Sequence, residues 1–236
     1  MGKIEMEQIQ TRKIAAEAVG TFVFFLIGLM SVLSTKAFNN PGTAQLPTTS
    51  PDLVVIALGF GFGLFAAIFI AGHISGGHYN PAVTVAAVAD KRLDPVHGVA
   101  YIVAQLVGGI AAALVVAAIF GQAAVAGTET HPGGGVTDIQ ALVIEALFTA
   151  IFLAVILTVT KKAANHAAFA IPLTLVVIHL AIVPFTGSSV NPARSLASAI
   201  VGGDLTGIWI YIVGPIVGGL IGWGVFKFLN PETDAA

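Results

Sequence analysis

The chain has 236 residues, 56% of them hydrophobic and only 9% charged, with a formal net charge of −2 and no cysteine. A mean hydropathy of +0.94 lies far outside what a soluble domain of this size carries. The slightly acidic balance argues against a nucleic-acid partner, and the missing cysteines exclude disulfides and thiolate chemistry without identifying a compartment.

In chain order, the polar leader "MGKIEMEQIQTRK" shows no cleavable signal sequence and runs straight into a first apolar segment. A spanning helix needs about 20 apolar residues, and such runs fall at 14–35, 53–72, 95–119, 139–160, 167–184 and 206–228. The second is followed by "HISGGHYNP" at 73–81, where a span would normally emerge into water, and then by "AVTVAAVA", too short to cross. The fifth is followed by "FTGSSV" and an equally short "ARSLASAI". Irregular backbone at membrane depth is tolerated only where it lines a wet cavity or is buried in protein. Both stretches are therefore expected to be re-entrant segments leading into half-helices. Asn80 and Asn191 are the expected N-caps, and Pro81 and Pro192 take the first helical position, where a missing N–H costs nothing. Ala82 and Ala193 complete two Asn-Pro-Ala tripeptides, while Gly76, Gly77 and Gly187 let backbones approach closely.

The same elements recur. "SGGHYNPAV" at 75–83 matches "TGSSVNPAR" at 186–194, "YIVAQLVGG" at 101–109 matches "YIVGPIVGG" at 211–219, and "AEAVGTFVF" at 16–24 matches "IEALFTAIF" at 144–152. The last pair sets Glu17 and Thr21 against Glu145 and Thr149. The chain reads as one domain over 1–236, built of repeats of about 14–120 and 139–228. Three spans per repeat is an odd number, so the repeats run in opposite directions and place related elements on either side of a shared midplane. Two half-helix N-termini then point their partial positive charges at one place, where a cation or hydronium is repelled. Lys3, Arg12, Lys13, Lys91, Arg92, Lys161, Lys162 and Lys227 all fall on one side of the bilayer, whereas Lys36 alone lies in an opposite-side loop. Retention of positive charge makes that basic side, with both termini, cytoplasmic. Arg194 fits neither side and sits in an apolar neighbourhood.

At these residues the sequence resembles the aquaporin, or major intrinsic protein, family over essentially its whole length. Size and short loops look most like bacterial water channels of the aquaporin Z type. The resemblance implies an all-α membrane protein, a right-handed bundle of six transmembrane helices and two re-entrant half-helices, with one pore per subunit. It also implies a homotetramer in the cell membrane and water as the permeant. Spacing from the motifs carries over a selectivity filter of Phe60, His179, Ser188 and Arg194, all water-channel residue types. Helical rise of about 1.5 Å per residue places Phe60, His179 and Arg194 at one depth. Glycerol-conducting relatives typically carry a smaller residue at the histidine position and an aspartate after the arginine, where this chain has Ser195. Many water channels carry an aromatic-Trp pair in span six, where this chain has Tyr211 and Ile212.

Glu17 and Glu145 are expected to be structural acceptors for the re-entrant segments. His78, and with it Ser189, either lines the pore or braces its loop. The pair His73 and His78 has neither carboxylate nor cysteine ligands nearby in sequence, so neither metal nor cofactor is expected, and no enzymatic role. Two alternatives remain: a wider pore of the same family that admits glycerol, and, from a different class, an intramembrane serine hydrolase pairing Ser188 or Ser189 with His179. The latter accounts for neither the first Asn-Pro-Ala nor Arg194.

Overall fold

A computed structural model describes residues 3–39 and 50–231, and is all-helical across them. Residues 1–2, 40–49 and 232–236 of the 1–236 domain lie outside the described residues. Helix α1 covers Lys3–Asn39, and its apolar part spans Gln10–Thr35. Lys36, expected in a loop, falls instead within the last turn of α1. Helix α2 starts at Ser50–Ala67, widens through a π-helical turn at Ile68–Gly72 and closes with His73–Ser75. A half-helix, α3 (Pro81–Ala89), precedes α4 (Pro95–Phe120) and a short α5 (Gln122–Ala126). Then come α6 (Asp138–Lys162), α7 (Ala164–Thr186), the second half-helix α8 (Pro192–Gly202) and α9 (Ile208–Leu229). Six of these are long and apolar enough to cross a membrane.

Local chemistry explains most ends. Asp94 caps α4 by accepting from the N–H groups of Val96 and His97 at 3.1 Å each, with Pro95 at the first position. Thr137 and Gln140 form a capping box at α6, which closes on Lys161 and Lys162, cations suited to a helix C-terminus. The irregular part of each re-entrant segment is only Gly76–Tyr79 and Gly187–Val190, shorter than expected, because α2 and α7 stay helical down to Ser75 and Thr186.

Packing is the same in both halves. Helix α1 lies against α2 and α4, α6 lies against α7 and α9, and the halves meet where α2 touches α7, α3 touches α9 and α8 touches α4. A Cβ on Gly108 would stand 2.1 Å from the Ala18 carbonyl oxygen, and one on Gly218 would stand 2.2 Å from that of Ala146. These contacts are backbone against backbone, the close approach that small residues give membrane helices. Phe69, Val107, Leu147, Val177 and Val217 are exposed around the bundle, an apolar outer surface too extensive to be left to water. Arg92 and Lys161 each lie 5.5 Å from the Phe226 ring centre, next to Lys227, and so gather basic residues at one end.

Candidate functional site

Two buried carboxylates build the centre of the molecule. Glu17 Oε1 accepts from the Ser75 hydroxyl at 2.6 Å and the His78 N–H at 2.9 Å, and Oε2 accepts from the Tyr79 N–H at 2.8 Å and the Gln105 amide at 2.7 Å. Glu145 Oε1 accepts from the Thr186 hydroxyl at 2.7 Å and the Ser189 N–H at 2.9 Å, and Oε2 accepts from the Val190 N–H at 2.7 Å. Tyr101 donates to the Ser75 carbonyl and Tyr211 to that of Thr186. The matched positions of the two segments therefore make matched bonds. Gln105 has no counterpart, because Pro215 holds the equivalent place.

These anchors offset a strained backbone. Tyr79 (φ 49°), Ser188 (φ 50°) and Val190 (φ 43°) all lie in the left-handed region. For a β-branched residue such as Val190 that is a conformation only surrounding structure can impose, at a cost of about 1–3 kcal/mol. Its effect is to present the carbonyls of Tyr79 and Val190 to the opposite motif. The Asn80 amide donates to the Val190 carbonyl at 2.8 Å, and the Asn191 amide to the Tyr79 carbonyl at 2.9 Å. Each asparagine oxygen meanwhile caps its own half-helix, on the N–H of Ala82 and of Ala193. Pro81 and Pro192 hold the first helical position as expected. An amide nitrogen carries two hydrogens; one is spent crossing, and the other is left for the cavity that both asparagines line.

That cavity, of about 320 Å³, runs from Arg92 and Thr160 at the basic end, past Gly76, Gly77, His78 and the two asparagines, to Phe60, His179 and Arg194. At this far end the Phe60 and His179 ring centres stand 4.8 Å apart, and Arg194 Cζ lies 5.2 Å from the Phe60 centre. Arg194 is 4% exposed; its Nη1 donates to the Thr128 carbonyl at 2.9 Å, while Nε has no partner. His179 Nδ1 lies 3.1 Å from the Leu175 carbonyl, so that nitrogen carries the hydrogen. Its Nε2 is also unpartnered. Three expected filter residues thus converge, with polar atoms unspent.

Ser188 behaves differently. Its hydroxyl is buried and unpartnered, and Ser189, not Ser188, is among the residues lining the cavity. Ser189 also braces: Thr130, Ser195 and Ser189 hydroxyls follow one another at 2.7 Å steps, ending at the Asn191 carbonyl. Gly187, with φ 77°, closes α7. His78 likewise does both, facing the cavity while its Nδ1 meets the Thr84 hydroxyl at 3.1 Å. Among the described residues neither serine is hydrogen-bonded to His179 as a hydrolase requires.

Sequence reasoning missed two constellations. Arg92, read only as a marker of orientation, reaches across the basic mouth to Thr160 at 2.7 Å and the Leu157 carbonyl at 3.2 Å. It is steered by Asp90, which also accepts from the Trp223 indole. The signal was available as a charged run straight after a half-helix. At the opposite end Glu129, His131 and Asp204 bring three ligand atoms within 4.8 Å of one another, a grouping hidden by the sequence distance between the loops.

Paired capped half-helices meeting in a cavity closed by an arginine, a histidine and a phenylalanine define a membrane channel. The family model of the major intrinsic proteins matches residues 5–226. Aquaporin Z of Photorhabdus laumondii is 40% identical over 94% of this chain and 99% of its own, and Aquaporin Z of Rhodopseudomonas palustris is 37% identical over 95% of each. The X-ray structure of the aquaglyceroporin from Plasmodium falciparum superposes with a TM-score of 0.82 at 24% identity, covering 96% of this chain and 100% of that one. The chain belongs to the major intrinsic protein family of membrane channels, and it is a multi-pass membrane protein with the aquaporin fold.

Proposed function

We propose that this protein is a passive water channel that excludes ions and protons and catalyses no reaction. The observation that carries this reading is the end of the cavity, where Phe60 and His179 stand 4.8 Å apart beside a buried Arg194 whose Nε is unspent. Water entering there exchanges hydrogen bonds with Arg194 and His179 and then with the two asparagine amides, so desolvation is offset along the path. A three-carbon polyol must pass the same two rings. Proton and cation exclusion follows from the Arg194 charge and from the two half-helix N-termini that meet at the asparagines. We assign the basic end to the cytoplasm, with both termini, and the protein to the cell membrane as a homotetramer of two-repeat subunits. The test is stopped-flow light scattering on proteoliposomes under water and glycerol gradients. Rapid water flux with glycerol flux at the bare-liposome level is expected; glycerol entry well above that level replaces the reading with that of a glycerol facilitator.

A further inference from the structure

Beyond the filter, the loop after α5 carries more than the contact that holds Arg194. Thr128 supplies the carbonyl for that arginine and Thr130 the hydroxyl that reaches Ser195. Between them, Glu129 is drawn inward to 8% exposure. Its Oε2 meets His131 Nε2 at 3.2 Å, but Oε1 is buried with no hydrogen-bond partner. Oε1 rests over Gly202, where a Cβ would stand 2.0 Å away, at the start of the turn that brings up Asp204. The Thr206 N–H donates to one oxygen of Asp204 at 2.7 Å. A buried carboxylate with an orphaned oxygen, an imidazole and a second, exposed carboxylate come together.

We propose that Glu129, His131 and Asp204 form a binding site for a borderline divalent cation, of the zinc or nickel class, at the filter end of the pore beside Arg194. One nitrogen and two carboxylate ligands suit such a cation, whereas magnesium and calcium take oxygen ligands. Zinc holds its ligands about 2.0–2.2 Å away, so a tetrahedral set lies about 3.3 Å apart. The present spread, within 4.8 Å, closes by small movements of His131 and the exposed Asp204 while the buried Glu129 stays fixed. Water completes the shell from the open side. Two carboxylates neutralise the ion, but Arg194 nearby opposes it, which sets the affinity below that of a structural zinc site.

The site stands whether or not the pore selects water, so its test is direct binding. The purified full-length protein in detergent is titrated with zinc against a chromogenic chelator at neutral pH. One zinc per chain is expected, with His131→Ala and Asp204→Asn each weakening binding about tenfold or more. Magnesium in excess should not displace it. His97→Ala, which removes a half-buried histidine beside Asp94 at the other end of the bundle, should change nothing. Because a ligand of the folded state raises its melting temperature, zinc should also raise that of the wild type and not of His131→Ala, a readout that checks folding as well. No saturable binding, equal binding by wild type and His131→Ala, or loss in His97→Ala overturns the proposal.

Discussion

At the scale of single residues, the proposed water channel assigns selection to Arg194 and His179 jointly. A unit charge repels a monovalent cation 4 Å away by about 4 kcal/mol at an effective permittivity near 20, on the order of a thousandfold in rate. Arg194 is 4% exposed and packed on Phe60, so water screens it poorly. Arg194→Val is expected to raise cation leakage by up to that order in dye-loaded proteoliposomes, and proton leakage by less, because the half-helix ends remain as a second barrier. Unchanged leakage of both moves the whole barrier to the asparagines. His179→Gly is expected to admit glycerol several-fold faster with water flux retained, since it removes one of two rings 4.8 Å apart; continued glycerol exclusion makes Phe60 and Arg194 sufficient. Ser195, where glycerol-conducting relatives typically carry aspartate, is buried inside a hydroxyl chain between Thr130 and Ser189. Ser195→Ala breaks that chain and is expected to lower the melting temperature with little change in selectivity.

At the scale of elements, the re-entrant segments exist because a carboxylate holds each one. Glu145→Ala removes the acceptor of two buried N–H groups and one hydroxyl. At about 1–3 kcal/mol for each group left unpaired, the loss is expected to reach about 3 kcal/mol or more. Tyr211→Phe, which deletes one hydrogen bond to the Thr186 carbonyl, should cost about 1 kcal/mol. Thermal unfolding in detergent ranks the two, and a milder effect of Glu145→Ala contradicts the anchoring role. Asn-Pro spelled out both half-helix starts in the sequence, since proline fits the first helical position and asparagine the cap. The glutamates were legible only through the repeat, as an isolated glutamate early in an apolar run gives no sign of its partners. The π turn at Ile68–Gly72 left no trace, because a segment apolar on every side has no periodicity from which an extra residue can be read. Nor could spacing show that Ser189 rather than Ser188 reaches the cavity wall, as left-handed turns at Ser188 and Val190 break the register that spacing assumes.

At the scale of the whole molecule, the distribution of charge gives the pore a direction. Arg92 and Lys161 converge on Phe226 at one mouth, while Glu129, Asp204 and the filter mark the other. Positive charge is retained on the cytoplasmic side during insertion, so the proposed orientation turns the Arg194 end outward, where a permeant from outside would meet it first. The cysteine-free chain makes this measurable, since any introduced thiol is the only one present. Gly134 has open space around its Cβ position and lies in the loop before α6, and Lys162 is exposed at the end of that same helix. Neither touches the cavity. In intact cells a membrane-impermeant maleimide is expected to label Gly134→Cys and to spare Lys162→Cys, with the second labelled only after permeabilisation. The two sites sit at opposite ends of one spanning helix, so their responses must be opposite. The reverse pattern inverts the channel, putting the filter and the Glu129–His131–Asp204 group on the cytoplasmic side against the charge rule, whereas labelling of both in intact cells shows that the 25 residues of Asp138–Lys162 do not cross the bilayer.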